Sequence, residues 1–300
     1  MKILLTGPHG QVGWELERAL LPLGEVVALE RERLNLADPD AIAQRCGEIH
    51  PRVIVNAAAY TAVDKAEAEK ELAFRINAAA PGVLAEQAKR IGALLVHFST
   101  DYVFDGTLER PYLETDSAAP VNAYGASKLA GERAIEASGA AFLILRTSWV
   151  YAARGTNFLR TILRLARERE VLRVVSDQTG APTSARHIAD ATAQAIPAAL
   201  QQDIRGTFHL SCRGSTSWHG FASRIVEQAS ALGLDGLRAR SIVPIPSSEY
   251  RSAAARPKNS RLDCGKLEAT FGMRLPGWER CADLVLREIV EAGSIAAPGR

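Results

Sequence analysis

Gly7-Pro8-His9-Gly10-Gln11-Val12-Gly13 follows the first apolar run of the chain and opens its first amphipathic stretch. No other feature of the sequence constrains the fold as strongly. Glycines spaced Gly-x-x-Gly-x-x-Gly let the backbone turn tightly and approach a diphosphate, whose charge then faces free N–H groups at a helix N-terminus. A glycine triplet alone is a weak signal, and an ordinary strand-to-helix turn is the alternative. A strand before it and a helix after it make it specific, and Gly7, Gly10, Gln11, Val12 and Gly13 are expected to cradle a dinucleotide.

The rest of the first half agrees. Short apolar runs at 3–5, 26–29, 53–55, 94–98 and 142–145 lack polar alternation, as parallel strands covered on both faces do. Between the first two runs, Val12, Leu16, Ala19, Leu20 and Leu23 share one helical face. An alanine-rich helix is expected over 67–90, with Pro81-Gly82 as a point of interruption. Repeated strand–helix–strand units predict an α/β fold, a Rossmann-type doubly wound parallel sheet.

The second half is less regular. It predicts helices over 158–169 and 185–199, strands at 172–175, 207–210 and 241–243, and a loop-rich segment over 244–260. We expect residues 1–147, with roughly 171–197, to form the dinucleotide-binding domain. Residues 148–170 and 198–300 are expected to form a smaller C-terminal α/β substrate lobe, interleaved with the first.

Further along lie the expected ribose contacts. Glu30 ends the second strand, where a carboxylate accepts hydrogen bonds from adenosine ribose hydroxyls. Arg31 and Arg33 follow and could pair with a 2′-phosphate instead, or form only a solvated charge run. Asn35 and Leu36, and the small residues Ala57, Ala58 and Ala59 after the third strand, are candidates to complete the cofactor pocket, although an alanine run alone means only close packing.

Tyr124 and Lys128 stand four residues apart, hence on one helical face. A phenol with a pKa near ~10 is a poor acid–base catalyst until a cation stabilises its phenolate, and a lysine one turn away supplies that cation. Lys128 can also bond a nicotinamide ribose. Alone, the pair reads as a surface contact; beside the glycine cradle it is far more specific. Thr100, after the fourth strand in Ser99-Thr100-Asp101-Tyr102, is placed to polarise a substrate carbonyl, or merely to cap a turn.

Composition closes off other classes. With 36 basic and 34 acidic side chains, the net charge of +2 gives no field for nucleic acid or anionic lipid. Cys46, Cys212, Cys264 and Cys281 form no Cys-x-x-Cys pair, and the six histidines show no ligand spacing. No Gly-x-Ser-x-Gly elbow, signal core or membrane-length run appears, so a soluble cytoplasmic protein is expected.

These motifs in this order resemble the extended short-chain dehydrogenases/reductases, and most closely the dTDP-4-dehydrorhamnose reductase family. The resemblance spans nearly the whole chain. It runs through Gly10-Gln11-Val12-Gly13-Trp14-Glu15-Leu16, Asn56-Ala57-Ala58-Ala59-Tyr60-Thr61-Ala62-Val63-Asp64 and Ser99 to Phe104. It continues through Arg146-Thr147-Ser148-Trp149-Val150-Tyr151, Asp177-Gln178-Thr179-Gly180-Ala181-Pro182-Thr183 and Arg256-Pro257-Lys258-Asn259-Ser260.

The resemblance implies C4 reduction of a dTDP-linked keto-sugar by NADPH or NADH. Tyr124 would be the proton donor, Lys128 its partner and ribose ligand, and Thr100 the polarising hydroxyl. Asp101, Tyr102, Trp149 and Arg256 would meet the nucleotide sugar, Trp149 packing against the sugar ring and Arg256 facing the diphosphate. Some members of the family dimerise around Mg2+ held by carboxylates. Glu15 and Glu288 stand at two such positions, but Arg186 occupies the third, and a guanidinium cannot ligate a cation. Mg2+ is therefore doubtful here, and a monomer or weak homodimer is expected. Rival readings are another nucleotide-sugar 4-ketoreductase, a dehydratase or epimerase, and a non-catalytic NAD(P)-binding regulatory subunit. Tyr102 stands where dehydratases place a glutamate.

Overall fold

The computed structural model describes residues 1–295. Five strands, β1 (Lys2–Thr6), β2 (Glu25–Leu29), β3 (Val53–Asn56), β4 (Leu94–Thr100) and β5 (Ala141–Thr147), fall on the predicted apolar runs. With Gly206–His209 they form one six-stranded parallel sheet, ordered Gly206–His209, β5, β4, β3, β1, β2. Strand order reverses between β1 and β3, and that crevice is where a doubly wound sheet binds ligands.

The unbroken apolar strands are explained by burial on both faces. Ile3, Leu5, Val53, Val55 and Val96 point into one core with Leu16 of helix α1 (Gln11–Ala19) and Leu20 at its C-cap. Leu4, Ile54, Leu95 and Ile144 point into the other, with Ile42 of α2 (Pro39–Ile49) and Leu84 of α3 (Ala80–Ile91). Each such side chain contributes about 1.5–3 kcal/mol on full burial, so a polar residue on either face would be costly. Further helices are α4 (Ala123–Ser138), α5 (Phe158–Glu168), α6 (Ala185–Gln202), α7 (Trp218–Ala231) and α8 (Trp278–Ile295).

One expectation needs correcting. The helix expected over 67–90 is in pieces: Lys70–Phe74, a π-turn at Arg75–Ala79, then α3. Pro81 sits in the first turn of α3, where its missing N–H cannot continue the ladder. The wide turn frees Asn77, whose amide bonds Tyr60 and the Ser127 hydroxyl. Val171–Val175 leaves the main sheet and pairs with Ser241–Ile245, whereas Gly206–His209 joins it beside β5. The last residues of the expected second lobe, 296–300, lie outside the described residues.

Candidate active site

The glycine loop is built to hold something flat and anionic. Gly7 has φ +68°, and a β-carbon there would lie 2.8 Å from the Ala58 nitrogen. A β-carbon on Gly13 would sit only 2.0 Å from the Gly7 carbonyl oxygen, so the third glycine lets α1 press on the loop. Gly10 is the N-cap of α1 and supplies no capping side chain. The first N–H groups of the helix are thus left for a diphosphate, and the residues fit a dinucleotide. Gln11 is tied to Asn157 by a 2.9 Å bond from the Asn157 amide, and Val12 packs against the core.

Around the rim, the expected ribose residues differ in what they can offer. Glu30 is half-exposed and faces His9, with 3.0 Å between Oε2 and Nε2. This contact raises the His9 pKa above its usual value, through the hydrogen bond first and the carboxylate charge second. Arg31 and Arg33 are exposed. Asn35 spends its Oδ1 on the Ala37 N–H, and Leu36 is buried in the core, leaving chiefly backbone to face a cofactor. Ala57, Ala58 and Ala59 lie half-buried just past β3, at the crevice.

Tyr124 and Lys128 stand in the first turns of α4. Asn122 caps that helix by accepting from the Gly125 N–H at 2.7 Å, and its amide donates to Ala255 O at 2.8 Å. Gly125 presses on the Tyr102 carbonyl, where a β-carbon would lie 2.1 Å away. Close packing brings the Tyr124 ring edge-on to Tyr102, 5.9 Å between centroids, and makes its phenol a hydrogen-bonding neighbour of Thr100.

The electrostatics favour a proton donor. Burial, reinforced by the Asp101 charge, pushes the Tyr124 phenol up to about 12, with the Thr100 contact pulling the other way. The expectation that Lys128 stabilises a phenolate meets a different arrangement. The lysine is 2 % exposed, and its amine donates to Phe98 O at 2.6 Å and lies 3.1 Å from His97 Nε2, both on β4. Burial brings its pKa down to about 8, offset in part by Glu132.

At the carboxyl ends of β4 and β5, Thr100 Oγ1 donates to Asp101 Oδ1 at 3.0 Å and accepts from the Tyr102 N–H. Burial raises Asp101 to about 6, while the Ser260 and Thr100 hydroxyls hold it part of the way down. Ser99 Oγ, Asp101 Oδ2 and Thr147 Oγ1 are buried with no hydrogen-bond partner among the described residues. Buried polar atoms are rarely orphaned, and Asp101, whose charge acts on Tyr124, leaves one carboxylate oxygen for a polar ligand.

Two substrate candidates are more engaged than expected. Arg256 grips Asp64 through two nitrogens, at 2.7 and 3.2 Å, so its charge already has a partner. Trp149, at φ +48°, stacks on Trp218 with 3.5 Å between centroids and is 9 % exposed. The expected packing against a sugar leaves only that small remainder. Sequence reasoning missed Asp64, His97 and Trp218 as members of the site. His97 alone carried a signal, a lone polar ring inside an apolar strand.

The carboxylate pair considered for Mg2+ does not fit a metal. Glu15, 5 % exposed, is ion-paired with Arg186, and Glu288 also acts on that guanidinium. A guanidinium already neutralises Glu15. Among the described residues, no helix is long and apolar enough to cross a membrane.

Similarity to known proteins gives the family of the chain. Residues 1–290 match the family model described as the RmlD substrate binding domain. A dTDP-4-dehydrorhamnose reductase of Burkholderia thailandensis is 52% identical over 296 residues, covering 97% of this chain and 99% of that protein. One from Escherichia coli is 46% identical over 300 residues, covering 98% and 100%. Among solved structures, a dTDP-4-dehydrorhamnose reductase from Bacillus anthracis in complex with NADP superposes with a TM-score of 0.87 at 35% identity, covering 96% of this chain and 99% of that one.

Proposed function

The chain belongs to the RmlD substrate binding domain family, and on that footing we propose that it reduces the C4 keto group of dTDP-4-dehydro-β-L-rhamnose to give dTDP-L-rhamnose, with NADPH or NADH as reductant. The observation that carries this reading is the meeting of Thr100 and Tyr124 beside Asp101, whose Oδ2 is buried without a hydrogen-bond partner among the described residues.

The reduced nicotinamide supplies a hydride when bound. Tyr124, fully protonated at neutral pH, gives its proton to the alkoxide oxygen that forms at C4. Thr100 polarises the same oxygen once its hydroxyl rotor turns from Asp101. Lys128, mainly an ammonium at pH 7, holds the nicotinamide ribose and replenishes favourable charge near the phenol. The glycine loop holds the diphosphate of the cofactor, with Glu30 and Arg31 competing for its ribose edge. Asp101, Tyr102, Trp149 and Arg256 line the sugar side.

In this reading residues 1–147, with roughly 171–197, bind the dinucleotide, and residues 148–170 with 198–300 form the substrate lobe. Four free cysteines suit a reducing compartment, hence the cytoplasm. The chain works as a monomer or weak homodimer with no metal bridge, Arg186 standing in the carboxylate site.

Turnover with the dTDP-linked 4-keto-6-deoxy-L-sugar tests the reading, followed by nicotinamide absorbance and identification of the product. Oxidation of the cofactor with formation of dTDP-L-rhamnose is expected. No oxidation would favour a regulatory subunit, and the opposite C4 configuration would favour another ketoreductase.

A further inference from the structure

Lys128 meets β4 through a pair of contacts, and one of them leads across the sheet. His97 is wholly buried, with Nε2 3.1 Å from the Lys128 amine and Nδ1 3.0 Å from the Asn56 amide. Asn56 in turn is 2.7 Å from the Thr6 hydroxyl, and Thr6 also accepts from the Ala58 N–H. Thr6, Asn56 and His97 are register partners on the adjacent strands β1, β3 and β4. The string therefore runs at one level across three strands, from the residue preceding Gly7 to the lysine of the proton-transfer pair.

We propose that His97 is a positioning residue for this pair, fixing the place and the charge state of the Lys128 amine and linking it through Asn56 to the glycine loop. The inference rests on the reading of Lys128 as part of a reductase site.

Its logic is that of donors and acceptors. Burial keeps the imidazole neutral, so the ring carries one N–H and one lone pair. An ammonium on Lys128 only donates, so Nε2 must accept and Nδ1–H must donate; this turns the Asn56 amide over, its oxygen toward Nδ1 and its nitrogen toward Thr6, the reverse of the orientation in the structure. With a neutral amine the whole string reverses: Thr6 donates to Asn56, Asn56 to Nδ1, and Nε2–H to the lysine lone pair. Asn56 can present either end, so each charge state of Lys128 has one satisfied arrangement. Other groups facing the amine are Tyr124 and Glu132, one turn to either side on α4, and the Phe98 carbonyl. Glu132 is already held by Arg146 of β5 through two bonds, at 2.9 and 2.6 Å. His97 is thus the neighbour free to respond when the lysine gains or loses a proton.

Two substitutions separate positioning from packing. His97→Gln keeps a polar atom within reach of Lys128, whereas His97→Asn keeps one near Asn56 and withdraws it from the lysine. In His97→Asn we expect kcat to fall by about tenfold or more. The basic limb of its pH profile should move to lower pH by about one unit, because a buried ammonium has lost an acceptor. His97→Gln should restore both. On a Lys128→Met background, His97→Asn should cost nothing further. Asn56→Ser, which cuts the string one link away, guards against misfolding of the histidine variants and should shift the limb in the same direction by less. Identical pH profiles for His97→Asn and His97→Gln, a full additional loss on the Lys128→Met background, or an unmoved limb in Asn56→Ser would overturn the proposal. A Lys128→Met enzyme with wild-type turnover would instead overturn the reading of the site itself.

Discussion

His9 Nε2 and Glu30 Oε2 lie 3.0 Å apart, so a contact that becomes an ion pair when His9 is protonated joins the glycine loop to the end of β2 across the rim proposed for the adenosine ribose. The carboxylate raises the His9 pKa, and the pair is exposed enough for solvent and salt to screen it.

Cofactor choice should follow that pair. Below the His9 pKa its positive charge offsets Glu30 and tolerates a 2′-phosphate; above it, the bare carboxylate repels one. The ratio of kcat/KM for NADPH to that for NADH should therefore rise as pH falls. The two values should stay within roughly tenfold of each other, about 1.4 kcal/mol. Glu30→Ala should shift preference toward NADPH, and Arg31→Ala toward NADH. Steady-state kinetics with both cofactors at several pH values checks this; mutants that shift the opposite way would remove Glu30 from the ribose edge.

Tyr124→Phe should lose about 10²–10⁴-fold in kcat, the usual worth of a general acid, while cofactor affinity stays near wild type. The ring would still stack edge-on with Tyr102, so packing is preserved. Turnover within threefold or so of wild type would exclude the phenol as the acid.

Asp101 makes a stability prediction with a definite sign. Its folded-state pKa is raised from 3.8 to about 6, so the folded protein binds that proton more tightly than the unfolded chain. Stability from this group is full below pH 3.8 and is lost as pH rises to about 6, a difference of about 3 kcal/mol at about 1.4 kcal/mol per unit. Asp101→Asn should therefore be more stable than wild type at pH 7 and lose that advantage at pH 4. Denaturant unfolding at the two pH values measures it, and an advantage equal at both would contradict the buried-carboxylate account.

The Glu15–Arg186 pair predicts indifference to chelation. EDTA should change neither activity nor the mass measured by light scattering. Arg186→Leu should destabilise the fold by about 1–3 kcal/mol, because Glu15 is buried and would be left unpaired. A dimer that dissociates in EDTA and reforms with Mg2+ would contradict the guanidinium's occupation of the site.

Gly180→Ala tests the tryptophan stack. The added methyl would lie 2.4 Å from Trp149 Cε2, so the ring must move off Trp218. Overpacking of this kind costs about 1–3 kcal/mol. The substrate KM should rise more than the cofactor KM, with a changed near-ultraviolet circular dichroism signal. An unchanged spectrum would show that the ring has room the structure does not provide.

Short-range order was legible in the residues. Gly7 to Gly13 and the pairing of Tyr124 with Lys128 depend on neighbours within seven residues, where backbone geometry alone dictates what meets what. The parallel strands declared themselves because both faces are apolar, and burial on both sides leaves no other composition open. Glu30 and Thr100 were reached the same way, each standing just beyond or at the end of a strand that could be read.

Contacts over long separations were decided by the tertiary structure. Arg256 seemed free for a diphosphate until the fold brought Asp64, 192 residues away, against it. Arg186 and Glu15 are 171 residues apart, and Trp149 and Trp218 stack although they come from distant stretches of the chain. His97 showed as a polar ring in an apolar strand, but its partners Asn56 and Lys128 come from another strand and a helix. Local propensity says where a side chain leaves the backbone. Which charge or ring it then meets depends on how the strands order themselves, and that order is set by the burial of whole faces, which no short stretch of sequence contains.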